Sequence, residues 1–282
     1  MGSSAQVALV TGGASGMGLG VVEDLVQKGW NVAIVDVDAR MGHSAEERLG
    51  TQVLFIRANV ADYNQQAEAF SQTWAQWGRL DLVLANAGIL DRMDITAPGK
   101  EMANGAPAKP DTLAVDICLY GVIYAAYLAL HYFRKNANGK GNLVFTSSQG
   151  GIYPVVGFTR SLAQRMKDLG EPITVNCILP GLVPTPLANT ALLAAFPQEM
   201  ITPVSTIVRA VNGFIEDQSL TGQAAECSAR EIHFRPVLPY SNAAAEFMSA
   251  GKFAALVDMK AAMEDVEKKT KVFEEKMADG GV

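Results

Sequence analysis

Thr11-Gly12-Gly13-Ala14-Ser15-Gly16-Met17-Gly18 stands between the apolar run Val7-Ala8-Leu9-Val10 and a stretch in which Leu19, Val21, Val22, Leu25 and Val26 recur at helical spacing. A glycine-rich turn therefore joins a strand to a helix. Glycine suits that place for three reasons: the chain must turn tightly, its N–H groups must approach an anion with no Cβ in the way, and the helix N-terminus must face the charge. Gly12, Ser15, Gly16, Met17 and Gly18 are the candidate phosphate cradle.

Asp36 ends the next apolar run, Asn31–Val35, about twenty residues further on, where a carboxylate can receive the hydroxyls of a ribose. A glycine-rich turn alone is a weak signal; between a strand and a helix, followed by this acid, it reads as a dinucleotide site. A carboxylate at 36 would repel a 2′-phosphate, so NAD is favoured over NADP.

Working outward, Gln6–Val10, Asn31–Val35, Val53–Ile56, Leu80–Leu84, Asn142–Thr146 and Ile173–Leu179 read as strands, with helical stretches between them. A parallel pair needs a crossover long enough to return across the sheet, so the alternation predicts an α/β fold: a doubly wound parallel (Rossmann) sheet. Residues 96–110 read as a loop bordering a pocket, followed by a long helix from about Asp111 to Asn136. Beyond Pro180-Gly181 strand signals thin out, which suits a segment covering the substrate. The expected organisation is one domain over residues 1–243 with a charged, amphipathic helical tail over 244–282. In the tail Leu256, Met259, Met263, Val266, Thr270, Phe273 and Met277 alternate spacings of three and four, which fits docking on its own domain or self-association as a coiled coil.

The 282 residues are 49% hydrophobic and 18% charged, a globular composition with ample surface to bury. A net charge of −6 and the lack of a basic stripe argue against a nucleic-acid partner. Cys118, Cys177 and Cys227 show neither metal nor disulfide spacing and suit a reducing compartment. His43, His131 and His233 are scattered, so no metal site is expected. With no basic leader at the amino terminus and no run of membrane-spanning length, the expectation is a cytoplasmic protein with no membrane partner.

The glycine pattern T-G-x-x-x-G-x-G resembles that of the short-chain dehydrogenase/reductase family. Asn59-Val60 is similar to the pair that contacts adenine in the family, Ala85-Asn86-Ala87-Gly88 to its turn after strand four, and Pro180-Gly181 with Val183 and Thr185 to its nicotinamide-side loop. The match runs from about Gln6 to Cys227. Leu128–Asn136 and Leu220–Ser228 resemble fungal proteins grouped with 15-hydroxyprostaglandin dehydrogenase. The resemblance implies Asn59, Val60, Asn86, Gly88, Val183 and Thr185 as further cofactor contacts. It also implies hydride transfer between nicotinamide and a secondary alcohol or ketone, here an apolar small molecule, and a homo-oligomer.

Such transfer needs a positioned acid/base. The family uses Ser, Tyr and Lys, aided by an Asn; the lysine lowers the tyrosine's pKa and holds a ribose. Ser148, at the end of the fifth predicted strand, matches the serine and is the one catalytic candidate. No tyrosine in the chain has a lysine four positions on: Tyr153 is followed there by Gly157 and Tyr132 by Asn136. Counting without a gap puts Ser161 and Arg165 in their places, where neither substitutes well. A better register treats Gly157–Ala163 as later turns of the family's catalytic helix, with about a dozen residues missing between Val156 and Gly157. Cys118 stands where the family has asparagine. The expectations are an impaired oxidoreductase, whose missing segment reflects a splice form or an exon boundary, a non-catalytic dinucleotide-binding protein, or a non-redox enzyme on the same fold.

Overall fold

The computed structural model describes residues 5–90, 99–149, 153–188, 190–237, 239, 241–244, 247 and 259–278. The chain divides into two compact units, 1–236 and 237–282.

The first unit is built on one eight-stranded sheet in the order β3-β2-β1-β4-β5-β6-β7-β8. Its strands are β1 (Val7–Thr11), β2 (Asn31–Asp36), β3 (Val53–Arg57), β4 (Leu82–Ala85), β5 (Gly141–Thr146), β6 (Ile173–Pro180), β7 (Ala224–Ser228) and β8 (Glu231–Phe234). All neighbours pair in parallel except β7 and β8. The six runs read from the sequence are the first six strands, displaced by two residues at most. The last two strands correct the expectation that strand structure thins out after Gly181. β7 reads Ala-Ala-Glu-Cys-Ser, with little intrinsic strand preference, and β8 is a largely exposed edge strand with no buried face to impose alternation.

Among the described residues seven α-helices accompany the sheet: α1 (Gly16–Gln27), α2 (Ala39–Leu49), α3 (Tyr63–Trp77), α4 (Leu113–Phe133), α5 (Tyr153–Asp168), α6 (Thr190–Ala195) and α7 (Val204–Glu216). Alternate side chains of β1 part to the two faces. Val7 and Leu9 join a core with Phe70 of α3, Phe133 of α4 and Val155 of α5, whereas Ala8 and Val10 join Leu25 of α1, Ala45 of α2 and Phe214 of α7. A sheet covered on both faces needs continuous apolar strands, which is why β1, β2 and β4 read as unbroken hydrophobic runs.

At 21 residues α4 is by length and composition apolar enough to cross a membrane, which corrects the expectation that no run reaches that length. Core helices satisfy the same measure, and Val122, Ala125, Ala126, Ala129 and Phe133 of α4 lie in the core beneath β4 and β5. Its first turns, Asp116–Tyr120, are wound as a π-helix.

In the second unit the long helix is α8 (Met259–Ala278). Its described side chains, Glu264–Lys271 with Glu274 and Glu275, are all exposed, Val266 at 53%.

Candidate active site

The carboxyl ends of the parallel strands bring the sequence candidates to one edge of the sheet. Thr11 closes β1, and the glycine turn follows. Gly12 and Gly16 have φ of +63° and +56°, a left-handed backbone that a Cβ would strain. At Gly18 a Cβ would stand 2.2 Å from the Gly12 carbonyl oxygen, so the first turn of α1 rests directly on the turn before it. Ser15 is the extended N-cap of α1 and its hydroxyl caps no N–H. The first-turn donors, including those of Met17 and Gly18, are left for an anion.

Asp36 lies at the end of β2, half-buried beside this turn. Its Oδ2 accepts from the Ala14 N–H at 3.1 Å and its Oδ1 from the Asp38 N–H at 3.1 Å. Two backbone donors therefore aim one carboxylate beside the glycine turn, the arrangement a ribose diol requires. Beyond β3, the Asn59 carboxamide oxygen accepts from the Ala61 N–H at 3.0 Å. Val60 is buried against Gly121 of α4, and its carbonyl accepts from Gln66 Nε2 at 2.6 Å.

Asn86 follows β4, and the structure shows its carboxamide engaged in tying strand ends together. Its Nδ2 donates to the Thr11 and Gly12 carbonyls at 3.2 and 3.3 Å, and its Oδ1 accepts from the Thr146 hydroxyl at 3.1 Å. The Thr11 hydroxyl in turn accepts from the N–H groups of Asn86 and Ala87, each at 3.0 Å. Thr11 and Thr146 were not singled out from the sequence. Thr11 could have been, since it opens the glycine motif; Thr146 could not, because its partner lies 60 residues away.

Gly88 stands beside Cys118 in the π-helical turn of α4: a Cβ on Gly88 would lie 3.4 Å from the sulfur. The Cys118 thiol donates to the Ile89 carbonyl at 3.6 Å. Ser148 lies just past β5, half-buried; its neighbours anchor the strand end, with the Ser147 N–H on the Ile178 carbonyl at 2.8 Å and the Gln149 N–H on the Pro180 carbonyl at 3.2 Å. After β6, Val183 is buried, and a Cβ on Gly16 would stand 3.0 Å from Thr185, so this loop closes against the glycine turn. Cys177 and Cys227 are buried inside β6 and β7, and burial pushes their thiols up to about 11 and about 12. They are core residues.

α5 begins at Tyr153, five residues past Ser148, and runs unbroken through Val156 and Gly157. Val155, Thr159, Ala163 and Met166 face the sheet, a single stripe spanning that junction. Ser161 and Arg165 are exposed, and Arg165 lies in the last turn, about 18 Å along the helix from Tyr153 and toward the amino edge of the sheet. The least exposed charged residue of α5 is Arg160, whose Nη2 donates to the carbonyls of Arg235 and Pro236, each at 3.1 Å. Residues 91–98, which include the first three of the expected pocket loop, and 150–152 lie outside the described residues, as does the Tyr153 side chain. Two surface cavities, of about 310 and 330 Å³, lie elsewhere: one at the amino ends of β5 and β6, the other on the outer face of α4.

The model of the short chain dehydrogenase family matches residues 6–194. The chain belongs to this family. Short-chain dehydrogenases are oxidoreductases that act on small molecules with a nicotinamide cofactor, and the glycine turn with its left-handed residues fits such a group. Among relatives, the chain is 35% identical over 235 residues to the short-chain dehydrogenase/reductase prx6 of Penicillium rubens, covering 77% of this chain and 78% of that one. It is 29% identical over 265 residues to 15-hydroxyprostaglandin dehydrogenase [NAD(+)] of Mus musculus, covering 82% and 93%. The fold is shared with 3-ketoacyl-(acyl-carrier-protein) reductase from Brucella melitensis, solved with NADH, at a TM-score of 0.67 and 21% identity over 80% of this chain and 98% of that one.

Proposed function

We propose that the chain binds NAD along the carboxyl edge of its sheet and belongs to a lineage that moves hydride between NAD and an apolar secondary alcohol or ketone in the cytoplasm. Its transfer step is slowed by the missing tyrosine and lysine. The observation that carries the cofactor assignment is the Asp36 carboxylate, held by two backbone N–H groups beside the glycine turn. A negative charge there accepts ribose hydroxyls and repels a 2′-phosphate. The name of the mouse relative, which specifies NAD(+), supports the same reading.

Met17 and Gly18 would donate N–H bonds to the pyrophosphate, Asp36 would hold the adenosine ribose, and Thr185 would close the nicotinamide side. When bound, the nicotinamide supplies or accepts the hydride. Ser148 would orient the substrate oxygen. Leu90 after β4, with Leu187, Phe196 and Met200 after β6, gives the strand-end loops an exposed apolar surface that supports an apolar substrate. Proton transfer is the deficient step. A serine hydroxyl is a poor acid near neutrality, and Cys118 offers a thiol where the family places a carboxamide. Losing the acid/base costs on the order of 10²–10⁴ in rate. Those departures favour a second reading, a dinucleotide-binding protein without turnover.

The test is to titrate the intact-mass-verified chain with NADH by fluorescence and then assay it against a panel of secondary alcohols and ketones. Binding with slow turnover supports the first reading, and binding with none supports the second. Saturable binding of NADPH but not NADH would overturn the assignment of Asp36.

A further inference from the structure

In α8 Met263, Thr270 and Met277 each fall four residues after Met259, Val266 and Phe273, while Val266 and Phe273 fall three residues after Met263 and Thr270, along one seam that is apolar except at Thr270. That is a heptad repeat with Met263, Thr270 and Met277 at position a and Met259, Val266 and Phe273 at position d. The helix spans 20 residues, about 30 Å. Val266, at the middle of the seam, is 53% exposed, and the flanking residues from Glu264 to Lys271 are exposed with it. A seam that is apolar by register, with Val266 and Thr270 exposed at its middle in one copy, calls for a partner.

The flanking charges say which partner. In this register Lys269 and Lys276 occupy position g, and Glu267 and Glu274 position e. In a parallel pair, g of one helix meets e of the following heptad on the other, so Lys269 meets Glu274 of the second copy twice over by symmetry. In an antiparallel pair g meets g, and the lysines at 269 and 276 would oppose one another. A polar residue at a, here Thr270, further disfavours register slips. Within one helix Lys269 bonds Asp265 at 2.5 Å, an i,i+4 neighbour, whereas Glu274 is five residues on and out of reach along the same helix.

We propose that α8 is a self-association element: two copies of this chain pair in parallel through the 259–277 seam.

The test uses the full-length chain. Under mild oxidation Val266→Cys gives a disulfide-linked dimer, because a parallel pair sets the two 266 positions face to face, while Lys268→Cys, at an outer position, does not. By sedimentation, Lys269→Glu or Glu274→Lys alone weakens association by about tenfold, since each turns two attractive contacts repulsive. Mixing the two single variants restores it, because each then supplies the charge the other lacks. The proposal is overturned if position 266 cross-links no better than 268, or if a dimer persists unchanged in both charge variants and their mixture gains nothing. Helicity by circular dichroism, unchanged in these surface variants, separates lost pairing from lost folding.

Discussion

The β1–α1–β2 and β5–α5–β6 crossovers are the same structural unit used twice, and they differ at the carboxyl edge. Both bury a stripe of their helix against the sheet: Gly18, Val21, Val22 and Leu25 in α1, and Val155, Thr159, Ala163 and Met166 in α5. At the carboxyl edge the first is crowded, with no room for a Cβ at Gly18. In the second, a Cβ at Gly157 would meet nothing within 4 Å. Packing a crossover and equipping its functional end are therefore separate requirements, and the second crossover meets the first although its one tyrosine, Tyr153, has no lysine four positions on.

The comparison is broken most decisively by repairing the second crossover. Inserting a relative's segment of about a dozen residues bearing Tyr-x-x-x-Lys between Val156 and Gly157 should raise turnover on a secondary alcohol by roughly 10²–10⁴, measured by NADH formation. No gain would mean that Cys118 or the altered pocket limits the reaction as well. On the first crossover, Asp36→Ala should weaken NADH binding by about tenfold to a hundredfold in a fluorescence titration, the equivalent of hydrogen bonds to a charged group. NADPH binding should weaken less.

The two glycines give a smaller and opposite pair of effects. Gly18→Ala forces the helix off the Gly12 carbonyl and should destabilise the fold by about 1–3 kcal/mol, with NADH affinity falling alongside. Gly157→Ala, exposed inside α5, should stabilise it by about 0.5–1 kcal/mol in chemical denaturation. Equal signs at the two sites would erase the distinction drawn here.

A pH-dependent effect comes from the sheet between α5 and α7. Burial raises the Cys177 thiol from its ordinary 9.0 to about 11, so above pH 9 the unfolded chain releases a proton that the folded chain keeps. Stability should be intact below pH 9 and decline as pH rises toward 11. Cys177→Ala should flatten that decline in denaturation curves taken across the interval.

Strands β1 to β6 were legible because each is a compact β-branched or aliphatic run bounded by turn residues. β7 was not, because Ala224 and Ala225 gain their strand geometry from pairing with Cys177 and Ile178 rather than from their own preference. The glycine turn and Asp36 were legible because their spacing is local. The ring of Thr11, Asn86 and Thr146 was not, since its members meet only when three strands align. The π-helical turn around Cys118 breaks helical period with no glycine or proline inside it.

The unbroken stripe of α5 also bears on how this chain would fare in a cell. Proteolysis and chaperone triage respond to unfolded populations, and a helix with Val155, Thr159, Ala163 and Met166 all seated offers them little to recognise. Abundance and melting temperature thus report on that stripe and say nothing of proton transfer. Screens that rank variants by expression would read that stripe, and only an assay that counts turnovers would read the carboxyl edge.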